Sequence, residues 1–153
     1  MEDWSGHTIV VGPWGGSGGI EWDDGSYTGI KKINISHGDA IGSLQVDYYV
    51  NGHVVTAPQR PQSNKYAFKV EPINIAKDDY IVKVSGHVGR SKLAQRTPVV
   101  RSLKFETSKK KIHGPFGTEE GEPFDFQVRK GFISGFKGAS GDLLDAIEFY
   151  LST

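Results

Sequence analysis

Two acidic residues and two glycines share a short segment near the C-terminus, Gly138–Ile147, which reads GASGDLLDAI. Because glycine has no Cβ, Gly138 and Gly141 allow a tight turn and the close approach of a partner. Such a turn can direct two or three backbone N–H groups and one carboxylate, from Asp142 or Asp145, at a single point. Donors and an acceptor held together in this way suit the vicinal hydroxyls and ring oxygen of a sugar.

A second glycine cluster, Gly15–Gly19, lies far upstream and reads GGSGG. If the two segments meet, they form a shallow polar pocket with almost no side-chain bulk. The cluster is not a phosphate-binding loop, because that motif requires Gly-Lys-Ser/Thr at the start of a helix. Here Gly19 is followed by Ile20-Glu21-Trp22.

The two acids allow other interpretations. Asp142 and Asp145 could be a turn cap and a solvated acid, or the carboxylate pair of a glycosidase. A glycosidase needs its carboxyl groups about 5 to 10 Å apart across a deep cleft. The sequence spacing does not exclude that arrangement, but a shallow glycine pocket is expected to have no means of raising the pKa of an acid.

Composition excludes several classes of protein. The 153 residues include 18 basic and 18 acidic side chains and no cysteine, so disulfides, thiolate metal sites and cysteine nucleophiles are ruled out. The five histidines are scattered without the spacing of metal ligands, so we expect no metal and no cofactor. The longest basic run, Lys109–Lys111, is expected to be a solvated turn between strands, so we expect no nucleic-acid partner.

The predictions of localisation and domain organisation rest on features that are absent from the sequence. The N-terminus has no signal-peptide pattern and no apolar run is long enough to span a bilayer, so we expect a cytoplasmic protein without membrane insertion. No linker or shift in composition divides the chain, which predicts one domain over residues 1–153.

Short runs rich in β-branched and aromatic residues recur between the glycines, several with period-two alternation. These runs predict an all-β sandwich, barrel or prism, with strands at His7–Val11, Ile30–Ile35, Leu44–Val50, Tyr66–Val70, Tyr80–Val84, Val99–Phe105, Phe124–Val128, Phe132–Phe136 and Ile147–Leu151. Two weak internal echoes, Gly12–Gly15 with Gly114–Gly117 and Ile35–Ile41 with Phe136–Asp142, suggest that a strand–loop unit recurs around an axis. Residues 86–97 lack a strand pattern and are expected to form a surface loop near the pocket.

Four motifs in order along the chain resemble the jacalin-related plant lectins: Gly12–Gly19 with Trp22-Asp23, Val99–Phe105, Gly114–Gly117, and Gly135–Ile147. The resemblance is greatest to the mannose-binding, artocarpin-like branch. It implies a β-prism of three four-stranded Greek-key sheets with pseudo-threefold symmetry. It also implies a lectin that binds mannose, glucose and mannose-rich N-glycans without catalysis. Because such a pocket is expected to bind one sugar weakly, with an affinity of about 1 mM, we expect a homodimer or homotetramer whose linked sites supply avidity.

The same resemblance assigns the carbohydrate-binding residues. Gly19 would donate its backbone N–H to the sugar, Asp142 and Leu143 would donate theirs to the ring oxygen and O6, and the Asp145 carboxylate would accept from O4 and O6. The galactose-binding branch is cleaved before the position of Gly19 and carries aromatic residues at 142 and 143, neither of which holds here. Two rival functions remain: a glycan-modifying enzyme using Asp142 and Asp145, and a protein-interaction β-prism that has lost sugar binding.

Overall fold

Twelve antiparallel strands account for most of the described chain. A computed structural model describes residues 7–64, 66–92 and 97–153. The strands are β1 (Thr8–Gly15), β2 (Ile20–Asp23), β3 (Gly29–His37), β4 (Ile41–Val50), β5 (His53–Thr56), β6 (Lys69–Asn74), β7 (Ile81–Gly89), β8 (Val99–Thr107), β9 (Ile112–Gly117), β10 (Glu122–Gln127), β11 (Phe132–Ser140) and β12 (Leu144–Ser152). Within the described residues we find no helix long and apolar enough to cross a membrane.

The strands form three four-stranded sheets with one shared plan. Their orders are β1-β12-β11-β2 in the first sheet, β5-β4-β3-β6 in the second and β10-β7-β8-β9 in the third. Each sheet has a long hairpin at its centre, β11–β12, β3–β4 or β7–β8, and a shorter strand on either side. The predicted recurrence of a strand–loop unit is confirmed, because β1 with Gly12–Gly15 and β9 with Gly114–Gly117 occupy corresponding places.

The core lies between the three sheets, where alternate side chains of the central hairpins point inward. It is built largely from aromatic and branched residues that are almost fully buried: Tyr48, Phe105, Phe136, Phe149, Ile33, Ile35, Ile41, Leu44, Ile73, Ile81, Leu103 and Ile133. Trp14 of β1 stacks on Phe124 of β10 at 5.3 Å between ring centroids and so joins the first sheet to the third. The three sheets therefore bury one main contiguous cluster.

Three strands were not predicted from the sequence, because two of them bury few side chains and the third contains a Gly-Pro pair. All four residues of β5 are exposed, and β2 buries only Trp22. Strand β9 contains Gly114-Pro115, a pair that is untypical of strands. The prediction for residues 66–70 was largely wrong, since β6 begins only at Lys69. The loop predicted from residue 86 was also misplaced at its start, because β7 continues to Gly89.

Candidate functional site

The two glycine-containing segments meet at one end of the first sheet. The backbone N–H of Gly16 donates to the carbonyl of Asp145 at 2.9 Å. Trp22 of β2 donates its indole N–H to the Ser140 hydroxyl at 2.8 Å. The β1–β2 loop is thus held against the β11–β12 turn on both of its sides, as the sequence analysis required for a shared pocket.

The Asp145 side chain lies between the glycines of both loops. Its carboxylate is so close to Gly19 that a Cβ there would overlap Oδ2. A Cβ at Gly18 would lie 2.8 Å from Oδ1, and one at Gly141 would lie 3.5 Å from Oδ2. Only glycine lets two backbone segments approach the acid this closely. The carboxylate therefore faces the main chain of both loops.

Asp145 is 8% exposed. Burial raises the pKa of its carboxyl above the ordinary value, and the neighbouring charge of Asp142 raises it further, against an opposing hydrogen bond from the Gly141 backbone. The expectation that this pocket could not raise an acid's pKa is therefore wrong. No side chain among the described residues donates a hydrogen bond to Asp145, so its lone pairs remain able to accept from hydroxyl groups.

Asp142 and Leu143 form the tip of the β11–β12 turn with opposite exposure. The Asp142 side chain is exposed, whereas that of Leu143 is only 2% exposed. The backbone carbonyl of Asp142 accepts from the N–H of Ser63 at 2.9 Å, which ties the turn to the β5–β6 loop. The four residues assigned by resemblance, Gly19, Asp142, Leu143 and Asp145, thus lie at one place in the fold.

Residues just before β8 also line this place. A Cβ at Gly18 would lie 3.0 Å from the Thr97 hydroxyl oxygen, and one at Gly16 would overlap the carbonyl of Pro98. The loop expected near the pocket does reach it at its Thr97 end, while residues 93–96 lie outside the described residues. Pro98 was not anticipated, because a single proline before a strand carries no distinctive signal.

The described residues contain no group of three or more His, Asp or Glu side chains placed to hold a metal ion. Among the histidines, His37 contacts Glu71 and His87 contacts Ser102. Both pairs lie away from Asp145 in sequence and sheet. The Lys109–Lys111 segment forms a turn between β8 and β9, as predicted.

Comparison with known proteins identifies the family. The sequence model described as the Jacalin-like lectin domain matches residues 11–150. The chain is 41% identical over 152 residues to a galactose-specific lectin of Morus indica, with 95% of this chain and 92% of the relative covered.

Two solved structures are similar in fold as well as in sequence. One is a mannose-specific jacalin-related lectin from Morus nigra in complex with mannose, at 47% identity and a TM-score of 0.90, covering 100% of this chain and 99% of the other. The other is artocarpin in complex with mannotriose, at 49% identity and a TM-score of 0.90, covering 95% and 98%. The chain belongs to the jacalin-like lectin family, and the predictions of a β-prism and of a non-catalytic carbohydrate-binding lectin are confirmed.

Proposed function

We propose that this jacalin-like lectin binds mannose and glucose, and mannose-rich N-glycans in particular, through Gly19, Asp142, Leu143 and Asp145. The observation that carries the proposal is the buried Asp145 carboxylate, which faces backbone on both sides and receives no side-chain hydrogen bond from the described residues. A charged acceptor of this kind forms the strongest hydrogen bonds available to a sugar hydroxyl. In the proposed complex, Asp145 accepts from two hydroxyls while the three backbone N–H groups donate.

Overall identity does not choose the sugar, because relatives of both specificities match the chain to a similar degree. The side chains at the turn favour mannose and glucose. No aromatic ring stands at positions 142 and 143, so these positions offer no apolar platform for stacking on a sugar face. Leu143 is also turned into the protein, and Gly19 supplies an amide N–H within a continuous chain rather than a free amino group.

Binding to a glycan array, with inhibition by free mannose and by free galactose, tests the proposal. We expect signals on mannose-rich glycans that mannose abolishes and galactose leaves unchanged. Inhibition by galactose alone would contradict the specificity. The absence of any signal would favour the protein-interaction alternative, and cleavage of a reducing-end-labelled oligomannose would favour the enzyme.

We further propose that each chain has one sugar site. In the registers of the three central hairpins, the position of Asp145 corresponds to Gly42 in the second sheet and to Arg101 in the third. Gly42 offers no side chain, and the side chain of Gln62 lies beside it. Arg101 is buried and paired with Asp39. Neither hairpin therefore presents an acid to a ligand at the position equivalent to Asp145.

We also propose that the protein forms a dimer or tetramer and acts in the cytoplasm. A few hydrogen bonds to one sugar, made in competition with water, give an affinity near 1 mM, or about −4 kcal/mol. Linked sites raise the effective affinity for branched glycans without any new contact. Sedimentation at micromolar concentration tests the assembly, and a monomer would contradict it.

A further inference from the structure

The tips of the three central hairpins meet at the end of the prism that holds the candidate site. Each hairpin has a register shift at the same place, after Ala139, Ser36 and His87 on its first strand. Beyond the shift, Ser140 pairs with Leu144, His37 with Ile41 and Val88 with Val100. The residues that directly precede these three partners on the second strand are Leu143, Ala40 and Val99. These three residues are therefore equivalent under the pseudo-threefold symmetry.

The three equivalent residues pack against one another and form a separate buried group, which we call the apical cluster. Leu143 is 2% exposed, Ala40 0% and Val99 3%, and Tyr66 and Phe68 of the β5–β6 loop cover them. Two of the turns contain an equivalent internal backbone hydrogen bond. In one, the Gly38 N–H donates to the Ala40 carbonyl at 2.9 Å, and in the other the Gly141 N–H donates to the Leu143 carbonyl at 3.0 Å. Leu143 thus belongs to the apical cluster through its side chain and to the sugar site through its backbone.

An ionic contact fixes the other two members of the apical cluster relative to each other. Arg101, two residues after Val99, donates from Nη2 to Oδ1 of Asp39 and from Nε to the Asp39 carbonyl, both at 3.0 Å. Asp39 directly precedes Ala40. The Asp39 carboxylate also accepts from the Ser91 hydroxyl at 2.8 Å and the Lys92 N–H at 2.9 Å. The second and third hairpins are therefore cross-linked at their tips, and Leu143 packs against a rigid base.

We propose that Ala40 and Val99 are positioning residues for the sugar site, which act by fixing the backbone N–H groups of Asp142 and Leu143 through the Leu143 side chain. This inference rests on the function proposed above. Protein interiors are densely packed, so a change of volume on one side of a buried side chain shifts or loosens it. A hydrogen bond weakens steeply with distance and angle, so the shift is transmitted to the sugar.

Val99→Ala tests the proposal, with Val46→Ala as the matched control. Both substitutions delete the same two methyl groups from almost fully buried sites, but Val46 lies within β4 of the second sheet and outside the apical cluster. Titration with methyl α-mannoside by NMR gives the affinity of the folded protein, and amide hydrogen exchange reports on Gly141, Asp142 and Leu143. We expect Val99→Ala to weaken binding by about 2- to 30-fold, as residues that modulate a site through packing do.

Val46→Ala should lower the thermal midpoint to a similar degree yet bind as the wild type does, and the turn amides should exchange faster only in Val99→Ala. Wild-type affinity in both variants, or an equal loss of affinity in both, would overturn the proposal. If Val99→Ala does not fold, the pair Val99→Ile and Val46→Ile, in which each substitution adds one methylene group at the same two buried sites, takes its place under the same criteria. A wild-type protein that binds no mannoside would instead contradict the proposed function.

Discussion

Replacing Asp145 by asparagine should abolish sugar binding without destabilising the fold. The substitution keeps the shape of the side chain but removes its charge and one of its two acceptor oxygens. Hydrogen bonds to a charged group contribute roughly 1.5–3 kcal/mol each. Asparagine keeps one acceptor oxygen, so the change removes one such bond and the charge from the other. Against a total of about −4 kcal/mol at millimolar affinity, a loss of roughly 2–4 kcal/mol weakens binding by about 30-fold or more, which places it beyond an NMR titration with methyl α-mannoside.

Stability should respond in the opposite direction. The pKa of Asp145 is raised in the folded protein, first by burial and then by Asp142, so the ionised acid is penalised on folding at every pH above its ordinary value of 3.8. Asparagine carries no such penalty. At pH 7 the thermal midpoint of Asp145→Asn should therefore equal or exceed that of the wild type, and the difference should shrink as the pH falls towards 3.8.

Asp142→Asn is the matched control, three residues away and with the same chemical change. Its side chain is exposed and its backbone N–H survives, so the affinity at pH 7 should stay within about threefold of the wild type. The assigned roles are wrong if Asp142→Asn is the more damaging to binding, if Asp145→Asn binds normally, or if Asp145→Asn fails to fold.

Three further outcomes follow from the same geometry. Gly19→Ala should lose binding, because φ is +82° and the new Cβ would overlap the Asp145 carboxylate. Gly25→Ala is the control, because its φ is +84° and its new Cβ would have no neighbour closer than 3.9 Å. It should lower the thermal midpoint and leave the mannoside titration unchanged. The affinity for mannoside should be constant near neutral pH and should decline as the pH falls through the raised pKa of Asp145, which lies above 3.8. An affinity that stays constant down to pH 3.8 would show that the ionised acid is not the acceptor. Calorimetry should give one methyl α-mannoside per chain, and a stoichiometry near two would exclude a single site.

The sequence was sufficient to name the components of the candidate site that are local in the chain. Gly138–Asp145 contains its turn, its donors and its acid within a few residues, so their chemistry could be read directly. The Gly15–Gly19 partner could be proposed from its composition, although only the structure shows its contact with Asp145. The strands with buried alternate residues were also predicted, because a period of two survives without knowledge of neighbours.

Features that depend on distant contacts were not predictable. The edge strands β2 and β5 bury little and therefore carry no alternating pattern. The raised pKa of Asp145 depends on how completely the two loops cover it. The apical cluster joins Ala40, Val99 and Leu143 from three hairpins, and in the sequence each is an ordinary apolar residue. Its symmetry becomes visible only when the strand registers are known.

The pseudo-symmetry shows that the burial of Asp145 is a local exception rather than a requirement of the fold. The corresponding positions hold Gly42, which has no side chain, and Arg101, whose charge is matched by Asp39. Either solution avoids a buried, unpaired charge, which is costly in any protein interior. Of these three equivalent positions, only that of the first hairpin holds an acid, and no side chain among the described residues donates a hydrogen bond to it. Local conflicts with stability are expected where a site needs them. The unmatched carboxylate therefore supports the proposed site, in which a sugar rather than the protein supplies the missing donors.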